Sequence, residues 1–282
     1  MKKETFAEIR VLDNFYQTSS FYPMPVVLIG TLAESGQTNL GPYSLVFPYV
    51  IAGQHAMMLI SRSSSNTAEN IRRTGKASLN FVPDGKKFMK SCVELGFPGE
   101  TTEEKMKRSV FSLMDSPEVD DDGDVRPQIV EEAIQVFECT WDDSYTYQPS
   151  EIESHFLLRI DRILMQESWK QCLMTGKGFP RLPVDYGYRD NTNFWISRHR
   201  RPAPYGIPKG RGTNVEAILY QAERLDPDIV WEEEACAKLT NVPRVFLKTV
   251  MQSANAEAHR RGMTTITPDL LDELRDKRAQ DK

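Results

Sequence analysis

Clustered metal ligands are missing from this chain. It has four cysteines and four histidines, and they are scattered. Cys92, Cys139, Cys172 and Cys236 form no CxxC pair, which argues against a zinc site and against a disulfide framework. No apolar run approaches the length needed to cross a bilayer. Met1-Lys2-Lys3-Glu4-Thr5 lacks the apolar stretch of a secretion signal. Basic residues form no long stripe and the net charge is −5, so nucleic acid is not expected as a partner. These absences lead us to expect a cytoplasmic protein with reduced thiols, no bound metal, no membrane partner and no nucleic-acid partner. His55 follows a glycine turn and His155 precedes a strand; neither has a carboxylate at catalytic spacing. No residue is therefore assigned a catalytic acid or base role. What is present is a chain of 282 residues, enough to bury one large core or two smaller ones.

The first two-thirds alternates strand-like apolar runs with turn signals. Residues 26–32 follow Pro23-Met24-Pro25 and end at the turn Glu34-Ser35-Gly36-Gln37. Residues 44–52 contain Pro48, which points to an edge strand or an irregular stretch. Residues 57–61, 77–82, 133–141 and 156–165 complete the strands, and a helix is expected over 103–114. Strands at this spacing, without long crossover helices, predict an antiparallel barrel and not a doubly wound sheet. Asp120-Asp121-Asp122-Gly123-Asp124 lacks the glycine and glutamate spacing of a calcium loop and reads as a solvated acidic loop. Residues 175–212 show no periodicity and read as irregular.

Beyond about Asp228 the composition changes. Trp231-Glu232-Glu233-Glu234-Ala235 opens a helix with acids in its first turn. A longer helix is expected over 245–261, ending at Gly262, and Thr267-Pro268-Asp269 starts a third. The expected organisation is a barrel over 1–175, a Gly/Pro/Arg-rich connection over 176–227, and a small helical module over 228–282.

Two stretches carry the chemistry. Asn39-Leu40-Gly41-Pro42-Tyr43-Ser44 reads as a small-residue turn between apolar runs. Ser61-Arg62-Ser63-Ser64-Ser65-Asn66-Thr67 is a hydroxyl-rich loop feeding a helix expected over 67–74. Asn66 is the expected cap, Glu69 completes a capping-box pattern, and Gly75 is the stop. A helix start leaves backbone N–H groups unpaired and carries partial positive charge. With clustered hydroxyls it suits a phosphate monoester. An ordinary capped helix after a polar turn fits the same residues.

Taken in order, several pieces resemble the flavin reductase-like family, whose fold is the FMN-binding split barrel. They are Pro23-Met24-Pro25-Val26-Val27-Leu28-Ile29, the stretch 38–44, the stretch 61–67 with Asn70-Ile71-Arg72-Arg73-Thr74-Gly75, and Leu79-Asn80-Phe81-Val82. Arg126-Pro127-Gln128-Ile129-Val130-Glu131-Glu132-Ala133 followed by Phe137-Glu138-Cys139 extends the match, which covers about 15–170. The resemblance implies a mainly β protein, a split β-barrel followed by a small all-α module. It implies that Asn39, Leu40, Gly41, Pro42, Tyr43 and Ser44 follow the ring and ribityl chain of FMN, with Phe47 and Tyr43 bordering the ring face. It implies that Ser61, Ser64, Ser65 and Thr67 lie near the phosphate, and that FMN sits in a groove of a homodimer. Family members often carry a basic residue just before the loop threonine. This chain has Ser64, Ser65 and Asn66 there, so Arg62, or Arg72 and Arg73, are the candidates to supply the charge.

Residues 229–275 separately resemble the small C-terminal helical domain of the B subunit of light-independent protochlorophyllide reductase. Trp231, Ala235, Leu239, Val242-Pro243, Phe246, Val250, Glu257, Ala258, Gly262 and Ile266-Thr267 carry that likeness. The same residues also suit the core of three packed helices.

The expected function is an FMN-dependent oxidoreductase taking hydride from NADH or NADPH. Its electron acceptor is a second flavin, an iron centre or a small molecule. An FMN-carrying electron-transfer protein docking a larger redox partner, and a flavin-free binding module, are the alternatives. Arg198-His199-Arg200-Arg201 with Lys209 and Arg211 either binds an anionic substrate or forms a solvated connection. Phe194-Trp195 and Tyr186 with Tyr188 either stack on a ring or simply pack.

Overall fold

Short apolar strands separated by tight turns build the first part of the molecule. The computed structural model describes residues 6–96, 99–117, 125–145, 152–188, 194–197, 214–242 and 244–280. Two compact units emerge, one of Met1–Trp169 with Phe179–Pro202, the other of Lys170–Gly178 with Ala203–Lys282. The first unit opens with α1 Phe15–Thr18, β1 Met24–Pro25, β2 Val27–Leu32, β3 Thr38–Tyr43, β4 Val46–Val50 and β5 Ala56–Arg62. Then come α2 Asn66–Thr74, β6 Lys76–Phe81, α3 Lys86–Leu95, α4 Thr102–Met106, β7 Leu113–Met114, β8 Ile129–Val130, β9 Gln135–Trp141 and β10 Glu153–Met165. Helix α5 Glu167–Thr175 runs across the division in sequence, and β11 Val184–Tyr188 and β12 Phe194–Ser197 return to the first unit.

Seven strands form one antiparallel sheet in the order β3-β2-β6-β9-β10-β5-β4. The two edges, β3 and β4, are joined by Ser44 and Leu45 alone. In a flat sheet of this width the edges would stand about 29 Å apart, whereas this link reaches only about 11 Å. The sheet must therefore curl until its edges approach. The Ile60 N–H donates to the Leu45 carbonyl at 3.0 Å and ties the link to β5. The result is the half-closed antiparallel barrel expected from the sequence.

Strand β2 is buried along its whole length. Val27 and Ile29 face a core shared with Val46, Leu59, Leu79 and Phe156, which Ala68 and Ile71 of α2 complete. Leu28 faces the other side and packs with Leu40, Met89, Cys92 and Leu95, the last three from α3. That is why 26–32 reads as a continuous apolar run without alternation. Each fully buried Leu or Ile contributes about 1.5–3 kcal/mol. Asn80 is a polar exception, fully buried in β6. Its Nδ2 donates to the Leu28 carbonyl at 3.0 Å and its Oδ1 accepts from the Val130 N–H at 2.9 Å.

Three local expectations are corrected. Residues 39–43 are not a turn: β3 pairs with β2 from Thr38 opposite Leu32 to Tyr43 opposite Val27, and only Ser44 falls in the tight link to β4. Pro42 is accommodated because one side of an edge strand needs no backbone donor. The helix expected over 103–114 stops at Met106 despite a full capping box between Thr101 and Glu104. Phe111 is drawn into the α3-side core and stacks on Phe88, so tertiary burial overrides helix propensity. Within 175–212, β11 and β12 form a three-stranded sheet with β1. Periodicity misses them because they are short and a bulge falls between Asp185 and Gly187, where Gly187 takes φ 72. The acidic run 120–124 and the basic residues 198–211 lie outside the described residues.

The second unit holds α6 Asn214–Leu225, β13 Val230–Trp231, α7 Glu233–Lys238, α8 Arg244–Arg261, β14 Thr265–Ile266 and α9 Pro268–Gln280. It is helical apart from the short parallel pairing of β13 with β14. Trp231, Ala235, Leu239, Met251, Ala258 and Ile266 lie in its core. The Trp231 Nε1 donates to Asn255 Oδ1 at 3.0 Å, which satisfies its one polar atom. Gly262 ends α8 at φ 67, and the Thr267 hydroxyl accepts from the Leu270 N–H at 3.3 Å as α9 begins. No helix among the described residues is long and apolar enough to cross a membrane. No group of three His, Cys, Asp or Glu among them is placed to hold a metal ion.

Asn80→Leu keeps the side-chain volume but orphans the Leu28 carbonyl and the Val130 N–H. Each orphan costs about 1–3 kcal/mol. Urea unfolding is expected to show a lower midpoint at unchanged slope; an unchanged midpoint would contradict this role.

Candidate functional site

Three elements meet through their hydroxyls. Tyr43 ends β3, Ser61 lies near the end of β5, and Ser65 precedes α2. Tyr43 Oη lies 2.7 Å from Ser61 Oγ and donates to Ser65 Oγ at 3.1 Å, while the two serine oxygens are 2.8 Å apart. Ser65 Oγ also accepts from the Ala68 N–H at 3.1 Å. Ser65, not Asn66, is the N-cap, and the box with Glu69 does not form. Asn66 already lies inside the helix and its Nδ2 donates to the Glu100 carbonyl at 3.1 Å, a tertiary bond that displaces the local cap. Gly75 closes α2 in the left-handed conformation, φ 67.

Two adjoining cavities share Pro42, Tyr43, Arg62 and Gly96 as walls. The first, about 380 Å³, is bounded further by Ser44, Leu45, Ile60, Cys92, Val93 and Asp185. The second, about 430 Å³, is bounded by Gly41, Ser64, Ser65, Thr67, Glu100 and Lys105. Both fall within the roughly 300–1,000 Å³ of small-molecule sites. Glycine is required at position 41. A β-carbon there would stand 2.7 Å from Thr67 Oγ1, so β3 and α2 approach only without a side chain.

The two cavities differ in charge. Asp185 enters the first from β11, fully buried. It accepts hydrogen bonds from Ser44 Oγ and from the Gly187 N–H, the latter at 3.0 Å. Burial raises its carboxyl to about 6, with those two hydrogen bonds opposing the rise. Tyr16 on the same wall is also pushed upward, chiefly by burial. Burial pushes the Cys92 thiol up to about 12, so it is neutral and a poor nucleophile. In the second cavity Lys105 of α4 is only 6% exposed. Burial lowers its ammonium to about 8, with Glu100 opposing.

The structure gathers Gly41, Pro42, Tyr43, Ser44, Ser61, Arg62, Ser64, Ser65 and Thr67 around these cavities. Asn39 and Leu40 line neither. Asn39 is buried behind the site, its Nδ2 donating to Thr31 Oγ1 at 3.3 Å and to Thr67 Oγ1 at 3.4 Å. Leu40 packs in the α3-side core. Phe47 is exposed on β4 and lines neither cavity. Arg72 donates to the Ser63 carbonyl and Ser154 Oγ, and Arg73 to the Leu32 carbonyl and Asn70 Oδ1, so both are engaged elsewhere. Tyr186 and Trp195 line neither cavity. Cys92, Lys105 and Asp185 were missed from sequence. The pattern Thr101-x-x-Glu104 signals the start of α4, but nothing local brings Asp185 to Ser44, 141 positions away.

No family model matches the chain. An uncharacterized protein of Methanothermobacter thermautotrophicus is 34% identical over 71 residues, 25% of this chain and 32% of the relative. The chain thus spans about a third of the length of the curated relative it matches. Flavoredoxin from Methanosarcina acetivorans superposes with a TM-score of 0.52 at 20% identity, over 73% of this chain and 98% of that one. Nitrilotriacetate monooxygenase component B from Bacillus cereus gives 0.52 at 16%, over 71% and 100%. The 2-nitrobenzoate 2-nitroreductase of Pseudomonas fluorescens gives 0.51 at 19%, over 73% and 100%. At these identities the likeness establishes the fold, which is broadly that of the flavin reductase-like split barrels.

Asp185 also supplies a test of the site's electrostatics. Its folded carboxyl titrates near 6 instead of 3.8, so its contribution to stability is present below about pH 4 and is lost as pH rises through 6. Asp185→Asn can still accept from Gly187 and is expected to be more stable than wild type by roughly 1–3 kcal/mol at pH 8. That gain should vanish at pH 4. Urea melts at the two pH values read it, and a variant less stable than wild type at pH 8 would contradict the assignment.

Proposed function

We propose that this chain is an FMN-dependent oxidoreductase whose cofactor lies along the two adjoining cavities. The observation that carries this reading is their division of labour. One is walled by the hydroxyls of Ser64, Ser65 and Thr67, a helix start and a buried ammonium beside Glu100; the other mixes the apolar Val26, Leu45, Ile60, Cys92 and Val93 with polar groups and the carboxyls of Glu153 and Asp185. That suits a ligand with an anionic tail and a flat, largely apolar head. Ser64, Ser65, Thr67 and the first turn of α2 would hold the phosphate. Gly41, Pro42 and Tyr43 would follow the ribityl chain, with Ser44, Cys92 and Asp185 toward the ring. Bound there, FMN supplies hydride and electron transfer.

The chain's own residues do the positioning. Gly41 leaves room beside Thr67, and Pro42 fixes the backbone that borders both cavities. Asn39 supports Thr67 from behind. Asp185 holds a proton at the head-group end up to about pH 6, where an acceptor gaining hydride would also need one. We read the donor as NADH or NADPH and, because of Asp185, favour a small-molecule acceptor over an iron centre or a second flavin. The shared fold with a flavoredoxin and with 2-nitrobenzoate 2-nitroreductase supports an FMN-linked role. A cytoplasmic homodimer completes the reading. Of the connection proposed over 176–227, β11 lies on the barrel through its pairing with β1, while α6 packs into the helical core and belongs with the C-terminal module. The likeness of 229–275 to the protochlorophyllide reductase module is read as a shared helical architecture used for docking.

The purified protein is expected to be yellow, to release FMN on denaturation, and to bleach with NADH or NADPH without air. A colourless protein that takes up no added FMN would contradict the reading. Bleaching only with a partner protein would move it to an electron carrier. Thr67→Val should weaken FMN binding by about 10-fold or more, as expected for one charge-assisted donor, and leave riboflavin binding unchanged. Equal FMN affinity in a fluorescence titration would remove Thr67 from the site.

A further inference from the structure

The hydroxyl loop brings no basic side chain of its own at 63–66 to the second cavity, and Arg72 and Arg73 are engaged on other groups. Among the described residues, Arg62 and Lys105 are the cations that line that cavity. Arg62 is exposed on the last residue of β5. Lys105 is 6% exposed, and no hydrogen bond or ion pair engages its Nζ among the described residues. The acid sharing the cavity, Glu100, is held by both guanidinium nitrogens of Arg108.

The position of Lys105 is fixed from two directions. Thr101 and Glu104 cap the start of α4 reciprocally, with bonds of 3.2 and 3.0 Å. Thr102 Oγ1 donates to Asn39 Oδ1 at 3.3 Å, fastening the helix to β3. Most of the Lys105 side chain is withdrawn from water and its ammonium opens only to the cavity, a costly place for a charge with no partner. An anion in the cavity removes that cost, and the same cavity already offers the hydroxyls of Ser64, Ser65 and Thr67 and the start of α2.

We propose that Lys105 is the cation that selects phosphorylated ligands here, holding the terminal phosphate of FMN from α4 in place of the basic residue the loop lacks. The inference rests on the FMN reading above. It makes Lys105 a specificity-determining residue: flavins ending in phosphate are retained and the same ring without phosphate is not favoured.

A pH dependence follows. Besides Lys105, the titratable groups lining the cavity among the described residues are Tyr43, Arg62 and Glu100. Tyr43 is the one titratable side chain of β3, on which α4 packs, and it is bonded to Ser61 and Ser65. On α4 itself Glu103 accepts from Ser35 and Glu104 from Thr101. A phosphate monoester is largely dianionic above about pH 7, so Lys105, titrating near 8, is the group that changes between pH 7 and 9. Below 8 it is charged and binding is tightest. Above 8 a proton must be taken up with the ligand, and affinity falls by up to about tenfold per pH unit.

Fluorescence titration of the full chain with FMN and with riboflavin, in wild type and Lys105→Met, tests this at pH 7 and pH 9. Lys105→Met is expected to lose FMN affinity by about 10- to 100-fold and to keep riboflavin affinity. Wild-type FMN affinity should fall from pH 7 to pH 9, and that of the variant should not. Equal FMN affinity in the two proteins overturns the role of Lys105 and leaves the FMN reading standing. Wild-type protein that binds neither flavin overturns both. If Lys105→Met does not fold, the wild-type series decides alone: FMN affinity unchanged from pH 7 to pH 9 overturns the proposal.

Discussion

Ser44 and Leu45 are all that separate the two edge strands of the seven-stranded sheet, and that short link forces the sheet to curl. The curl sets Tyr43, at the end of one edge strand, against Ser61 of β5. It also presents Ser44 to Asp185, which arrives on β11. Helix α2 is held in place by the same closure, because Ala68 and Ile71 fill the core between the strands. The start of α2 is thereby fixed beside β3, with Gly41 permitting the close approach. The cleft is a consequence of how the barrel fails to close, not a feature added to it.

Burial then acts on two side chains of opposite charge. Desolvation disfavours the charged form of each, so the Asp185 carboxyl rises to about 6 and the Lys105 ammonium falls to about 8. Both move toward neutral pH from opposite sides, one in each of the two adjoining cavities. Groups held this way lower the stability of the fold, and their place in a cleft marks it as a candidate functional site. Cys92 lines the same cavity as Asp185, but its thiol is pushed away from neutral pH and remains inert.

Much of the barrel was legible in the sequence because its strands are long enough to show apolar runs, and Pro48 marked an edge. The run 39–43 was misread as a turn because Gly41 and Pro42 are turn residues; only their place on an edge strand makes them strand residues. The hydroxyl loop and its helix were legible down to the Gly75 stop, yet the cap shifted to Ser65 because Asn66 found a tertiary partner in Glu100. Lys105 and Asp185 were invisible for a different reason. Each is an ordinary charged residue in its local sequence, and its meaning comes from burial imposed by elements far along the chain.

The central claim is that an anionic tail is bound at the hydroxyl and lysine end while a flat head lies toward Asp185. A crystal structure of the full chain grown with FMN tests it most directly. Phosphate oxygens are expected within about 2.7–3.2 Å of Lys105 Nζ and the Thr67 hydroxyl, with the ring on the Pro42, Cys92 and Asp185 side. A phosphate found elsewhere, or a cleft sealed by its own side chains in the presence of excess FMN, would contradict it.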